Sequence, residues 1–415
     1  MPRDGVACRY PPLSAAFASV LAMMALPPLP FDTPPQPTRA DPGVTFLHSA
    51  DWQLGMVRHF LGSEAQARYD QARIDAIDRI VQVAGETSAA FVVVAGDVFD
   101  ANQVDRQVVL RACEALRALS CPAYLLPGNH DCLEPGSVWS SRILTDALPE
   151  QVQVLTDGQP RRPVDGVEVV GFPWRTRRPL RDPMAELADL PPTVRGTLRI
   201  AVGHGQVDSM IPEVDESAPI RLAALRTCID EQRAHFVALG DRHSTTQVDD
   251  SGRIWFAGTT EQTRPEETDP GNVLQVRLSE ASCEVTPVPV GRWRLLSKVA
   301  ELDGDESVRE LANWLADQPD KARTVLRLGV RGTLSVSGFT ELEMLLDSNQ
   351  ELYAAIQRWE RHWHVGLRPD EEELQMLELG GPARGALEEL RVASGTGDEV
   401  AADALVLLHR LATGV

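Results

Sequence analysis

Five short polar clusters carry residue types that bind divalent cations. They are Ala50-Asp51-Trp52-Gln53, Gly96-Asp97-Val98-Phe99-Asp100, Pro127-Gly128-Asn129-His130-Asp131, Gly203-His204-Gly205 and Gly240-Asp241-Arg242-His243. Carboxylates, an amide oxygen and imidazoles are the donors that hard or borderline divalent cations take. One carboxylate can bridge two cations about 3.5–4 Å apart, the spacing that clamps both oxygens of an in-line phosphoryl displacement. Each cluster alone has an ordinary reading. A lone Gly-Asp after a strand is a turn, Asp51 could cap a helix, and a histidine after an apolar strand is usually a satisfied core residue. Together, in order along one chain and each after an apolar run, they point to a two-metal site. Gly-Asn-His-Asp is the most specific of them.

The runs before these clusters must be strands. Val44–Ser49 is a short apolar strand, 91–95 a continuous one and 123–126 the next. Helices are expected between them. In 64–85, Ile77, Ile80, Val81 and Ala84 share one face, and in 105–119 Val108, Val109, Ala112, Leu116 and Leu119 point inward. Further strands are predicted at 152–155, 167–171, 198–202, 236–239, 253–257, 272–278 and 284–288. Strand and helix alternate early and strands dominate later, which describes an α/β core with a mixed sheet. In open α/β sheets ligands sit beyond the carboxyl ends of strands, and glycines there let the backbone turn beside an ion. After about residue 290 a helix at 306–318, a strand at 323–330, a helix at 339–350 and a segment around 353–367 suggest a smaller α/β domain. Gly380, Gly381 and Pro382 then break the chain before a last helix at about 398–412.

The series of clusters resembles the calcineurin-like metallophosphoesterases. Phe46 to Trp52 with Leu54-Gly55, and Ala238-Leu239-Gly240-Asp241 with His243, are similar to the SbcD-type DNA-repair exonuclease branch. Gly258 to Glu261 followed by Pro265-Glu266-Glu267 resembles the same branch. The resemblance implies a sandwich of two mixed sheets flanked by helices, with a small α/β capping domain. It implies that Asp51, Asp97 and His243 hold a first metal, that Asp97 bridges, and that Asn129, His204 and Asp241 complete a second. His130 would face phosphate, oriented by Asp131, while an activated hydroxide attacks phosphorus. The implied cofactors are two divalent metal ions, with Mn2+ preferred. Gln53 stands where the branch usually has a histidine ligand, and Asp241 where another histidine is usual. An amide oxygen is the weaker donor, whereas aspartate remains competent. Asp51, Asp97, Asp241 and one hydroxide would balance two divalent cations.

Composition bounds the rest. The chain has 415 residues and a formal net charge of -20. Its overall field therefore does not draw it to nucleic acid or an anionic membrane, and a polyanion must be captured locally. Arg175, Arg177, Arg178 and Arg181, after Trp174, form the one basic cluster noted; phosphate-backbone contact and a solvated loop are the two readings. His362 and His364 have strand spacing near Trp359 and Trp363, and packing of the small domain accounts for them. His48, His59, His235 and His409 receive no role. Six scattered cysteines without a CxxC pair fit reduced thiols in a cytoplasmic protein. Leu13 to Leu26 is too short to span a bilayer comfortably. Residues 1–42 are expected to be a Pro-rich, disordered extension, with a signal or anchor as the alternative.

The expected organisation is this extension, a nuclease domain over 43–290, a capping domain over 291–378 and a helical segment over 379–415. The expected activity is metal-dependent hydrolysis of DNA phosphodiesters by a repair exonuclease. A phosphatase or phosphodiesterase of a small molecule or nucleotide, and a weakly active scaffold subunit of an ATPase complex, are the rivals. DNA is the expected partner, with a coiled-coil ATPase subunit of SbcC type implied by the resemblance, a homodimer kept open and no membrane.

Overall fold

A computed structural model describes residues 43–210, 218–367, 371–396 and 398–413. The expectations for residues 1–42 lie outside them. Three sheets organise the described residues. The first has six strands in the order β11-β10-β1-β2-β3-β4. Its members are β1 (Val44–Ser49), β2 (Val92–Val94), β3 (Ala123–Leu125), β4 (Val152–Val154), β10 (Asn272–Leu278) and β11 (Cys283–Pro289). From β1 to β4 the pairing is parallel, whereas β10 pairs antiparallel with β1 and with β11. The second sheet has the order β5-β6-β7-β9-β8, built from β5 (Val167–Gly171), β6 (Leu198–His204), β7 (Phe236–Gly240), β8 (Thr246–Gln247) and β9 (Ile254–Phe256). It is parallel except for its β8 edge.

The two sheets face each other across a dry layer. Phe46, Phe91 and Tyr124 from the first meet Val169, Ile200 and Phe236 from the second. Phe46 and Phe91 stack with ring centroids 4.9 Å apart, and Phe236 meets Phe46 edge-on at 5.5 Å. Both faces of these strands are buried, so they read as continuous apolar runs rather than alternating ones. On its other face the first sheet is covered by α1 (Ser63–Glu86) and α2 (Arg106–Leu116), whose buried stripes include Ile77, Ile80, Val109 and Ala112. The second sheet packs α4 (Leu222–Asp230) through Leu225 and Cys228. The architecture is thus an α/β sandwich of two mixed sheets flanked by helices, as expected.

The third sheet is parallel, β12-β13-β14, from Arg294–Leu302, Thr324–Leu334 and Ala355–Leu367. Helices α5 (Asp305–Asp317) and α6 (Val336–Gln350) cover it through Leu311, Leu315 and Leu342. Trp293, Leu295 and Val325 seat this layer on Ala65, Tyr69 and Ala72 of α1. β14 bulges between its pairings Leu328↔Arg358 and Val330↔Trp363. His362 packs edge-on to Trp359 at 4.0 Å, which agrees with the packing reading of that histidine.

Four expectations need correction. β12 escapes the sequence reading because its buried residues do not alternate: Leu295 faces α1, Ala300 and Leu302 face the other side, and Ser297, Lys298 and Glu301 interrupt the run. The short helices α3 (Arg142–Ala147) and α4 were also missed. The helix predicted over 105–119 stops at Leu116. Gly380-Gly381-Pro382 is not a break ahead of the last helix. It opens α8 (Gly381–Gly395), where proline in the first turn forfeits no helical hydrogen bond. After α7 (Glu371–Met376), α8 pairs with α9 (Glu399–Thr413) around Leu387 and Leu405.

The inter-sheet layer sets stability. Phe91→Ala is expected to lower the unfolding free energy by about 3–5 kcal/mol, the usual cost of emptying a buried aromatic site. Urea unfolding of the two proteins measures it, and a change below about 1 kcal/mol would contradict this packing.

Candidate metal centre

The parallel strands of both sheets end at one edge, and the five clusters meet there. Asp51 follows β1, Asp97 follows β2, Asn129 and His130 follow β3, His204 closes β6, and Asp241 with His243 follows β7. Asp51, Asp97 and His204 each bring one donor atom to a common point, all within 4.8 Å of one another. All three are buried. His204 Nε2 lies 3.5 Å from Asp97 Oδ1 and 3.7 Å from Asp241 Oδ1. The Asp241 amide donates to both Asp51 carboxylate oxygens, at 3.0 and 3.1 Å. Gln53 Nε2 lies 3.0 Å from His243 Nε2. The seven residues expected to hold metal are therefore brought together.

Their backbone is strained. Asp51, Gln53, Asp97 and Asp241 have φ of 52°, 45°, 53° and 97°. Such conformations are costly for residues with a Cβ and persist only where surrounding bonds over-determine them. Those bonds are present. The Asp51 amide donates to Gly96 O at 3.0 Å, the Gln53 amide to Asp97 O at 2.8 Å and the Leu54 amide to Val98 O at 2.9 Å. Thr259 Oγ1 donates to Asp51 O at 2.8 Å. Glycine is required beside them. A Cβ on Gly96 would stand 2.1 Å from His204 Nδ1, and one on Gly128 2.2 Å from Asp97 Oδ1.

Two imidazoles are fixed from behind. His204 Nδ1 donates to Ala95 O at 2.8 Å, which turns Nε2 toward the carboxylates. His243 Nδ1 lies 2.7 Å from Thr263 Oγ1 and 3.0 Å from Glu267 Oε1, which likewise turns Nε2 inward. A carbonyl or carboxylate behind each ring is the usual support of a metal-binding histidine. Sequence reasoning had placed Glu267 only within a resembling motif. Its partner is 24 residues away.

His130 lies at the open side. Its amide donates to Asp97 Oδ1 at 3.0 Å, its Nδ1 lies 2.8 Å from Asp100 O, and its partly exposed Nε2 lies 4.0 Å from Asp97 Oδ2. Here the structure corrects the assignment of Asp131. The Asp131 carboxylate accepts from the amides of Gly128 at 2.7 Å and Phe99 at 3.1 Å, so it braces two loops. The residue that orients His130 is Asp100, through its carbonyl.

The donors fit divalent cations. With Nδ1 donating to Ala95 O, Nε2 is the His204 ring atom at which a cation would take the place of a proton. Asn129 Oδ1 stands 2.8 Å from Nε2, and the same amide position is 3.2 and 3.3 Å from the two Asp97 oxygens. These atoms crowd one point, where a divalent cation would replace the proton that the carboxylates draw onto His204. Gln53 Oε1 is buried and makes no hydrogen bond. Charges respond accordingly. Burial pushes the Asp51 carboxyl up to about 7, opposed by His204 and His243. Burial also penalises the Asp97 charge, but His204 and His130 outweigh it and hold that carboxyl below its ordinary value. His204 loses charge stability to burial, yet Asp97, Asp51 and Asp241 carry its pKa well above the imidazole range.

The arginine loop reaches this edge. The Trp174 indole donates to His204 O at 2.5 Å, and its amide donates to Pro127 O at 3.1 Å. Arg175, Arg177 and Arg178 follow on the surface, Arg177 paired with Glu134 at 3.4 Å and Arg175 bonded to Thr156 O at 3.2 Å.

Residues 44–217 match the calcineurin-like phosphoesterase family. The match covers every candidate residue up to His204, though less than half of the chain, and indicates a hydrolase of phosphoester bonds. No curated protein matches the chain. Solved structures similar to it include TT1561 of Thermus thermophilus, at 12% identity, TM-score 0.35, covering 59% of this chain and 99% of that one. A dimetal phosphatase from Danio rerio is similar at 14% identity, TM-score 0.35, covering 59% of this chain and 98% of that one. No helix among the described residues is long and apolar enough to cross a membrane.

Two outcomes test the centre. His130→Ala should keep its metal content by elemental analysis but lose about 10²-fold or more in turnover, whereas Asp97→Ala should lose metal and activity together. Gln53→His should lower the manganese concentration for half-maximal activity, since imidazole is the better donor. An unchanged manganese titration would remove position 53 from the site.

Proposed function

We propose that this chain is a two-metal phosphodiesterase that degrades DNA as an SbcD-like repair exonuclease, with Mn2+ as the working ion. The convergence of Asp51, Asp97, Asn129, His204, Asp241 and His243 at one sheet edge carries this reading. In it, Asp51, Gln53, Asp97 and His243 hold one cation, while Asn129, His204 and Asp241 hold the other together with Asp97. The cations would supply Lewis acidity and an activated water. His130, aimed by the Asp100 carbonyl, meets a phosphate oxygen from the open side and stabilises its charge or protonates the leaving oxygen.

Two basic surfaces favour a long polyanion. One is the arginine loop beside His204. The other lies on the small sheet, where Arg327 and Arg361 stand 4.9 and 4.8 Å from the Trp359 ring and Arg358 stands 4.1 Å from Trp363. Arg327 also pairs with Glu266, the neighbour of the Glu267 that supports His243. A DNA strand crossing the metals would meet cations on both sides. The net charge of -20 instead favours a small phosphoester substrate, which needs no such track. We assign residues 43–290 to the nuclease, 291–378 to the cap and 379–415 to partner binding. The partner fitting this reading is a coiled-coil ATPase subunit of SbcC type. The pair α8 and α9 supports it by exposing Val392, Val400, Leu407 and Leu411.

Purified protein with manganese should cleave end-labelled linear DNA and bis-p-nitrophenyl phosphate. Hydrolysis of the small diester with intact DNA would favour the small-molecule reading, and neither reaction would favour a scaffold.

A further inference from the structure

Arg73 is a full cation inside α1 with 1% of its surface exposed. Nothing in the chemistry above uses it. Its Nη1 donates to Trp52 O at 2.6 Å and its Nη2 to the Tyr69 hydroxyl at 2.6 Å. Nη2 also reaches Met56 Sδ at 3.5 Å, while Nε has no hydrogen-bond partner. Burying a guanidinium is expensive, and such a group is kept where its bonds hold something in place.

What it holds is the carbonyl between Asp51 and Gln53, the two residues at φ 52° and 45°. The carbonyl before it is held by Thr259. Both outward carbonyls of the strained turn are thus clamped, one by a hydroxyl and one by a charge-assisted bond, the stronger kind. The same pair joins the small sheet. Tyr69 meets Trp293 edge-on at 4.8 Å, and its hydroxyl donates to Gln262 O at 2.9 Å. Gln262 in turn bonds the backbone of Leu295 in both directions, at 2.8 and 3.0 Å. The seat of the small sheet and the turn bearing Asp51 and Gln53 therefore share one buried node.

We propose that Arg73 is a positioning residue for the Asp51-Trp52-Gln53 turn, setting the site's affinity for divalent metal and tying it to the seat of the small sheet through Tyr69. The proposal rests on the metal reading above. The test is manganese uptake by the full chain, measured by titration calorimetry without substrate. Arg73→Met should weaken uptake at least tenfold while circular dichroism stays native. Tyr69→Phe, which keeps the ring against Trp293 but removes Arg73's second acceptor, should weaken it a few-fold. Arg73→Lys, which can still donate to Trp52 O, should recover most of the loss, and it carries the test against Tyr69→Phe if Arg73→Met does not fold. Folded variants with wild-type isotherms would overturn the positioning role alone. A wild-type chain that takes up no manganese would overturn the metal reading instead.

Discussion

The close approach of two strand ends is the constraint on which the site depends. A Cβ on Gly240 would stand 1.9 Å from Ala95 O, so only glycine lets β7 pass β2 there. The same Ala95 carbonyl accepts from His204 Nδ1. One carbonyl thus fixes the spacing of the sheets and the orientation of a candidate ligand's ring. The Phe46, Phe91 and Phe236 layer holds the sheets together below, and the polar loops can converge above because nothing larger than hydrogen occupies the gap.

Convergence has a cost. Two buried carboxylates, Asp51 and Asp97, meet the half-buried Asp241 on backbone conformations that ordinary residues avoid. Repulsion and strain both oppose folding, and the structure offsets them with backbone hydrogen bonds between the turns and with the buried Thr259 and Arg73 side chains that hold the Asp51 and Trp52 carbonyls. Gln53 and Leu54 borrow the Asp97 and Val98 carbonyls as a strand would, extending the β1–β2 pairing past the sheet edge. The candidate ligands therefore stand on rigid backbone, which suits a site that must receive charge without rearranging.

The parts legible in the sequence were those governed by local pattern. Apolar runs marked the strands of both main sheets except the two-residue edge strand β8, and glycines beside Asp97, Asn129, His204 and Asp241 marked the turns after them. What escaped was set by distant partners. Glu267 acquires its role only when the chain returns to His243, and Arg73 looks like any helix arginine until Trp52 O is seen above it. Asp131 misled because adjacency to His130 suggested contact. After such a tight turn neighbouring side chains diverge, and the Asp131 carboxylate is drawn to the Gly128 and Phe99 amides. β12 hid because a partly exposed strand in a small sheet alternates too irregularly, and Pro382 was taken for a break although its place in the first turn of a helix costs nothing.

The two departures from the resembling branch act on the donor set together. With Gln53 and Asp241 in place, the edge gathers five oxygen-bearing side chains, Asp51, Gln53, Asp97, Asn129 and Asp241, against the two imidazoles of His204 and His243. Replacing imidazole by amide at position 53 costs donor strength, while replacing imidazole by carboxylate at position 241 adds a charge within 3.7 Å of His204. Oxygen-rich, more anionic sets favour harder ions and do less to retain softer ones. The loss at one position and the gain at the other therefore move selectivity the same way. In total attraction for divalent cations the two changes would oppose each other, since a carboxylate adds charge where an amide gives up donor strength.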